Sequence, residues 1–364
     1  MRIAIVHDYL MQIGGAERVL RALLQLYPDA VCYIPVFNHR LLKSQFDGID
    51  VVPSFLQHFA HRFTYKLMLG LYPVAIEAYD LRHYDVVISS SSSFAKGVIT
   101  TPDTIHINYC HTPSRFIWRY HDYLNEQDMS FQQRIIARSL IGRLRNWDYI
   151  AAQRVDYYIA NSHNVSRRIQ KHYHRTATVI YPPVEVERFH PEEANQGEYY
   201  LIVSRLLRYK RVDLAIAACK QLNVPLIVIG DGPDMRRLRR MAGPKTKFLG
   251  YVTDTEVTKA MAHCRALLLP GEEDFGITSL EAMASGRAVI AYGRGGALET
   301  VTPGLTGLLF YEQAVDSMVE CMQEFEKVDF DSRRLRAWAQ RFDVSEFKRQ
   351  IKSFVEDHQL LPCR

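Results

Sequence analysis

The chain is predicted to be an α/β protein of two doubly wound domains, and three observations predict it. Short, nearly continuous apolar runs recur along its 364 residues, each followed by a stretch with helical apolar spacing. That alternation calls for buried parallel strands joined by helical crossovers. It is interrupted once, by the polar, proline-marked stretch 183–198 (PVEVERFHPEEANQGE), after which a strand pattern restarts. The length also corresponds to about two domains of ordinary size.

Composition excludes several classes. Apolar content of 48% and charged content of 23% are those of a water-soluble globular chain. No apolar run approaches the ~20 residues that span a bilayer. MRIAIVHDYL reads as a strand start and lacks the long apolar core and small-residue cleavage site of a signal peptide. The six cysteines form no C-x-x-C pair, which indicates neither a disulfide framework nor a zinc site and fits a reducing cytoplasm. The formal charge of +5 is mild, so the placement of the basic residues matters more than their number.

Taken in order, Arg2–Asp8 reads as a buried parallel strand running into Gly14-Gly15 and the helix AERVLRALLQLY. Strand, glycine turn and helix make a place where backbone N–H groups can approach an anion; the same glycines also suit a plain tight turn. The G-x-G-x-x-G dinucleotide fingerprint is absent. Cys32–Val36 and Val51-Val52 read as further strands. Phe55–Tyr79 reads as a helical pair whose aromatic residues are interleaved with His58, His61, Arg62 and Lys66. It suits packing on the sheet or contact with an anionic membrane surface. Asp85–Ser89 is a predicted strand followed by a serine loop. Thr104–Cys110 is a strand ending in His111-Thr-Pro-Ser-Arg115, which aims a histidine from a strand's carboxyl end. Arg115, Arg119, Arg134, Arg138, Arg143 and Arg145, with Trp118 and Trp147, then make a basic aromatic segment. A solvated helical face accounts for most of it, and an anionic lipid surface or lipid diphosphate suits it as well. No nucleic-acid motif accompanies the charge. Val155–Asn161, a helix capped by Ser162, and Thr178–Tyr181 complete this half.

In the second half Tyr199–Val203, Leu226–Ile229, Lys247–Leu249, Ala266–Leu269 and Ala288–Tyr292 read as strands with helices between. Met318–Val328, Ser332–Phe342 and Val344–Gln359 read as closing helices. The stretch Leu268–Glu281, LLPGEEDFGITSLE, is the most pointed. A buried strand delivers Glu272, Glu273 and Asp274 to a helix start, and Glu281 lies inside that helix. Acids in a first helical turn are ordinary capping and dipole chemistry. The carboxyl end of a strand in an open parallel sheet is also where ligands bind.

The pair Glu273 and Glu281 flanking Phe275-Gly276 has E-x7-E spacing and resembles retaining glycosyltransferases of family 4, which have the GT-B fold. Ser204-Arg205-Leu-x-x-x-Lys210, Ile229-Gly-Asp-Gly-Pro233, Phe248-Leu-Gly250, Ala284-Ser-Gly286 and Gly295–Val301 fall in the order of that family's donor half. Gly14-Gly15 and His111-Thr-Pro fit its acceptor half. HTPSRFIW and ASGRAVIAYGRGGALETV are similar to bacterial mannosyltransferases of O-antigen and exopolysaccharide synthesis. One departure is Ala288, where the family usually has proline.

The resemblance implies two Rossmann-like domains facing a cleft: an acceptor domain at 1–182, a linker at 183–198, a donor domain at 199–342, and a C-terminal helix at 343–364 crossing back to the first domain. It implies transfer of mannose from GDP-mannose to a polyprenyl-diphosphate-linked glycan, with UDP-glucose or UDP-N-acetylglucosamine as alternative donors. Arg205 and Lys210 are expected to neutralise the diphosphate, as arginine and lysine do by bidentate binding and by point charge. Gly14 and Gly15 and the helix start at Asp274, Phe275, Gly276 and Ile277 are expected to add backbone dipoles. Glu273 is expected on the sugar hydroxyls, Glu281 on the ribose, and His111 near the reaction centre. Gly230 and Gly232 line the base pocket or simply form a strand-to-helix turn. No cofactor or metal is expected. The expected location is the cytoplasm, including the inner membrane face, and no nucleic-acid partner is expected. A non-catalytic sugar-nucleotide-binding subunit is the reading from another class. It predicts loss of a key residue, yet Gly15, His111, Arg205, Lys210, Glu273 and Glu281 are all present.

Overall fold

The computed structural model describes residues 1–59, 68–120, 131–191 and 197–359, with backbone alone for 131–134 and 136. The chain divides into two compact units, Met1–Pro182 with Phe347–Arg364, and Pro183–Glu346.

The first unit is a parallel sheet of seven strands, β1 (Ile3–His7), β2 (Val31–Tyr33), β3 (Val51–Val52), β4 (Val86–Ser91), β5 (Ile105–Cys110), β6 (Tyr157–Ala160) and β7 (Thr178–Val179). Their order is β3-β2-β1-β4-β5-β6-β7. The order reverses between β1 and β4, so the crevice at their carboxyl ends is this sheet's switch point. Helix α1 (Gly15–Leu26) follows β1 and buries Val19, Leu20, Leu23 and Leu24, the i, i+1, i+4, i+5 stripe expected of a helix covering a sheet. Helix α2 (His163–Tyr173) follows β6 and is capped by Ser162, whose side chain accepts from the Val165 N–H. From Phe347 onward the C-terminal helix Val344–Gln359 belongs to this unit. Its Phe347 lies against Tyr109, with 5.7 Å between ring centroids, and its Phe354 lies near Tyr157.

Two expectations change here. The serine run is not a loop: β4 continues through Ser89, Ser90 and Ser91, all buried. Serine has weak strand preference, so the run looks like a turn, but the folded sheet gives Ser89 and Ser90 histidine partners. The basic aromatic segment is only partly a solvated face. Arg119, Arg138 and Arg143 are exposed, whereas Arg145 donates to the Ile117 carbonyl at 2.8 Å and lies over the Trp118 ring. His61, Arg62, Lys66 and the Arg134 side chain lie outside the described residues.

The second unit has six parallel strands, β8 (Tyr200–Val203), β9 (Leu226–Ile229), β10 (Thr246–Gly250), β11 (Ala266–Leu269), β12 (Val289–Tyr292) and β13 (Gly307–Phe310), in the order β10-β9-β8-β11-β12-β13. Its switch point lies between β8 and β11. Strand β13 is missed by the sequence reading because only three apolar residues follow Gly307 on a sheet edge. Helices α3 (Val212–Gln221), α4 (Met235–Met241), α5 (Ile277–Ala284) and α6 (Val315–Phe325) cover this sheet. The stretch expected as a linker is held in the second unit: Val184, Val186 and Phe189 are buried, and Val184 pairs with Asp343. Residues 192–196 of it lie outside the described residues.

Candidate active site

At the switch point of the second sheet, the loop after β8 meets the loop after β11. Lys210 Nζ donates to both Glu273 carboxylate oxygens at 2.6 Å, with the two side chains 16% and 14% exposed. Pairing at this depth leaves each charge within reach of solvent, so a ligand can compete for either partner. Arg205, from the same β8 loop, is exposed.

The loops can approach so closely because glycines stand at the crossings. A Cβ on Gly271 would lie 2.6 Å from the Tyr209 carbonyl oxygen and 2.7 Å from Lys210 Cα. On Gly296 it would lie 2.2 Å from Phe275 Cα, and the Gly296 N–H donates to the Glu273 carbonyl at 2.8 Å. The Gly230 and Gly232 loop is pressed on the β8 loop in the same way, with Cβ positions 1.9 Å and 2.3 Å from the Ser204 and Leu206 carbonyl oxygens. Gly276 has φ +93 and opens α5, whose first N–H groups lack helical partners. Asp274 and Ile277 are half-buried beside it, and Phe275 is buried. Glu281 is buried inside α5 at 3% exposure, so the E-x7-E pair divides into an accessible carboxylate at Glu273 and a buried one at Glu281.

The first unit has its own polar cluster at its switch point. His111 Nε2 lies 2.8 Å from Ser90 Oγ, and the same oxygen lies 3.1 Å from His7 Nδ1. His7 Nε2 is 3.9 Å from Glu17 Oε1. All four side chains are buried. His7 and Ser90 are register partners on β1 and β4, which places them side by side on one face. Gly14 caps α1 and lies against Glu17, its Cβ position 3.2 Å from Oε2, while Gly15 is exposed. Asp8 holds the loop after β4 by accepting from the N–H groups of Ser92, Phe94 and Ala95.

Sequence reasoning singled out His111, Gly14 and Gly15 but missed His7, Glu17 and Ser90. The available signal was weak: His7 ends the first apolar run, and Glu17 is the third residue after the Gly14 cap. The HTPSRFIW stretch also has a structural share. Ser114 and Trp118 both donate to Asp148, which also pairs with Lys96 at 2.5 Å and accepts from Tyr173 at 2.8 Å. On the other face of β4 and β5, Ser89 bonds His106 Nε2 at 2.7 Å, and burial pushes the His106 pKa from 6.5 to about 3.

Residues 13–188 match the family described as Glycosyltransferase Family 4, and residues 184–358 match Glycosyl transferases group 1. An uncharacterized glycosyltransferase of Methanocaldococcus jannaschii is 30% identical over 161 residues, 42% of this chain and 45% of its own. A GDP-mannose-dependent alpha-mannosyltransferase of Mycobacterium tuberculosis is 32% identical over 174 residues, 43% of this chain and 46% of its own. The chain thus spans less than half the length of these relatives. The structure of Anabaena Alr3699/HepE in complex with UDP-glucose shares the fold, with a TM-score of 0.72 at 20% identity, covering 98% of this chain and 100% of that one.

Proposed function

Since the chain belongs to glycosyltransferase family 4 and has the GT-B fold, we propose that it transfers mannose from GDP-mannose to a lipid-linked glycan with retention of configuration. The observation that carries the reading is the Lys210–Glu273 pair at the switch point of the second sheet, enclosed by glycine loops. The matched GDP-mannose-dependent relative from Mycobacterium tuberculosis supports the choice of donor.

In the proposed reaction the bond from the anomeric carbon to the diphosphate breaks, and the electron pair leaves with the diphosphate. The acceptor hydroxyl oxygen attacks from the same face, and its proton passes to the departing phosphate oxygen. Arg205 and Lys210 hold the leaving charge, as a fork and a point charge respectively. Glu273, released from Lys210 as the diphosphate takes its place, accepts from sugar hydroxyls, and Glu281 serves the ribose. The first turn of α5 adds fixed dipoles where charge develops. Gly14, Gly15 and His111, in the first unit, keep the roles that the family resemblance implies. The reading includes no metal.

Calorimetry with GDP-mannose, UDP-glucose and UDP-N-acetylglucosamine in the presence of a chelator tests this. Selective GDP-mannose binding that is lost in Arg205→Ala is the expected result. Selective binding of a UDP-sugar would replace the donor, and no binding at all would sink the proposal.

A further inference from the structure

Apart from the polar cluster at the first sheet's switch point, one buried carboxylate ties together the loops that leave this sheet. Asp148 lies on the helix Phe131–Gln153 and is fully buried. Its Oδ1 accepts from Lys96 Nζ at 2.5 Å and from Ser114 Oγ at 3.2 Å. Its Oδ2 accepts from Trp118 Nε1 at 2.7 Å and from the Tyr173 hydroxyl at 2.8 Å. These donors come from the loop after β4, the segment after β5 and the end of α2. A carboxylate has about four lone-pair sites, so Asp148 is saturated. Lysine ammonium and indole N–H groups can only donate, and one of them stands on each oxygen. An amide at position 148 would therefore set its NH2 group against a donor whichever way it turned. Withdrawing Lys96 and Asp148 from water offsets much of their attraction, so the pair contributes geometry more than stability.

We propose that Asp148 is a positioning residue for the segment 111–118, acting through its bond to the Trp118 indole. The segment leaves the carboxyl end of β5, and Trp118 closes its short helix Arg115–Trp118. At its start the His111 N–H donates to the Ser91 carbonyl at 2.8 Å, and Thr112 Oγ1 accepts from Arg168 Nη1 at 3.3 Å. At its end the His172 ring stacks on Trp118, with 4.5 Å between centroids. Lys96 Nζ and Ser114 Oγ also both reach the Ser93 carbonyl, which joins the segment to the loop after β4. Fixing both ends of so short a segment fixes the course of the backbone that follows His111. That this segment serves sugar transfer rests on the function proposed above; the anchoring does not.

The chain has three tryptophans, so the indole N–H signals of the full chain labelled with nitrogen-15 read the anchor directly. Trp118→Phe assigns the Trp118 signal. Trp147 and Trp338, bonded to Glu77 and to the Thr300 carbonyl, report on the fold of the two units. In Asp148→Asn the amide oxygen should keep Lys96, so the Trp118 signal should move or broaden while that of Trp338 stays. Under the functional reading, Asp148→Asn and Trp118→Phe should each lower kcat about tenfold with the donor KM nearly unchanged, within the cost of a misplacement of about 1 Å. The double variant should fall no further than the worse single one, because both remove the same bond. A Trp118 signal left in place in Asp148→Asn, or losses that multiply in the double variant, would overturn the proposal. If Asp148→Asn does not fold, Trp118→Phe decides alone, and an unchanged kcat overturns it. A wild type whose Trp118 signal responds to Asp148→Asn but which transfers no sugar would overturn the functional reading and leave the anchor standing.

Discussion

At the scale of single residues, the informative feature is that charged groups expected to serve a ligand are paired with each other. Lys210 and Glu273 share two short hydrogen bonds, so removing either leaves a partly buried charge without its partner. Lys210→Ala should lower kcat/KM by roughly 10²–10³, the usual cost of losing a preorganised group that stabilises developing charge. It should also lower stability by about 1–3 kcal/mol, since Glu273 loses its partner; chemical denaturation measures this. His106 supports a pH prediction. Its folded pKa of about 3 lies below the unfolded value near 6.5, so the unfolded chain binds the extra proton between these limits. The contribution is fully present above pH 6.5 and is lost as pH falls toward 3, at up to ~1.4 kcal/mol per pH unit. A His106→Gln variant should show a flatter dependence over that window, read from denaturation midpoints.

At the scale of elements, both sites are built where loops leave parallel strands beside a reversal of strand order. The glycines decide how closely those loops pack. Gly296→Ala would force a Cβ into the backbone of Phe275 and displace the turn that holds Glu273. Such overpacking should cost about 1–3 kcal/mol, with loss of donor binding larger than the loss of melting temperature suggests. An unchanged donor affinity in this variant would show that the turn does not need the contact. The same scale explains the serine run. Along β4 successive side chains face opposite sides, so Ser89 meets His106 while Ser90 meets His7 and His111.

At the scale of the molecule, each unit is a complete doubly wound sheet, and the C-terminal helix ends on the first unit. No helix among the described residues is long and apolar enough to cross a membrane. The first unit nevertheless exposes Phe55, Phe59, Leu71 and Val74, and beside Gly70 it places Leu140, on the helix that also exposes Arg138 and Arg143. Apolar and basic groups together suit an anionic membrane surface. The protein should co-sediment with anionic liposomes at low salt, and Phe59→Ser with Val74→Ser should weaken that binding. Failure of the wild type to co-sediment would end the membrane proposal.

The sequence by itself determined the class of fold, most strands and helices, and the donor-side candidates, because these depend on local periodicity and short motifs. Buried parallel strands must be apolar, and turns that press on another backbone must be glycine. What only the tertiary structure decided depends on residues far apart in the chain. His7, Glu17, Ser90 and His111 have no shared spacing, and only the parallel pairing of β1, β4 and β5 brings them together. Lys210 and Glu273 were each legible as candidates, but their bond exists because strands β8 and β11, separated in sequence by two others, are neighbours in the sheet.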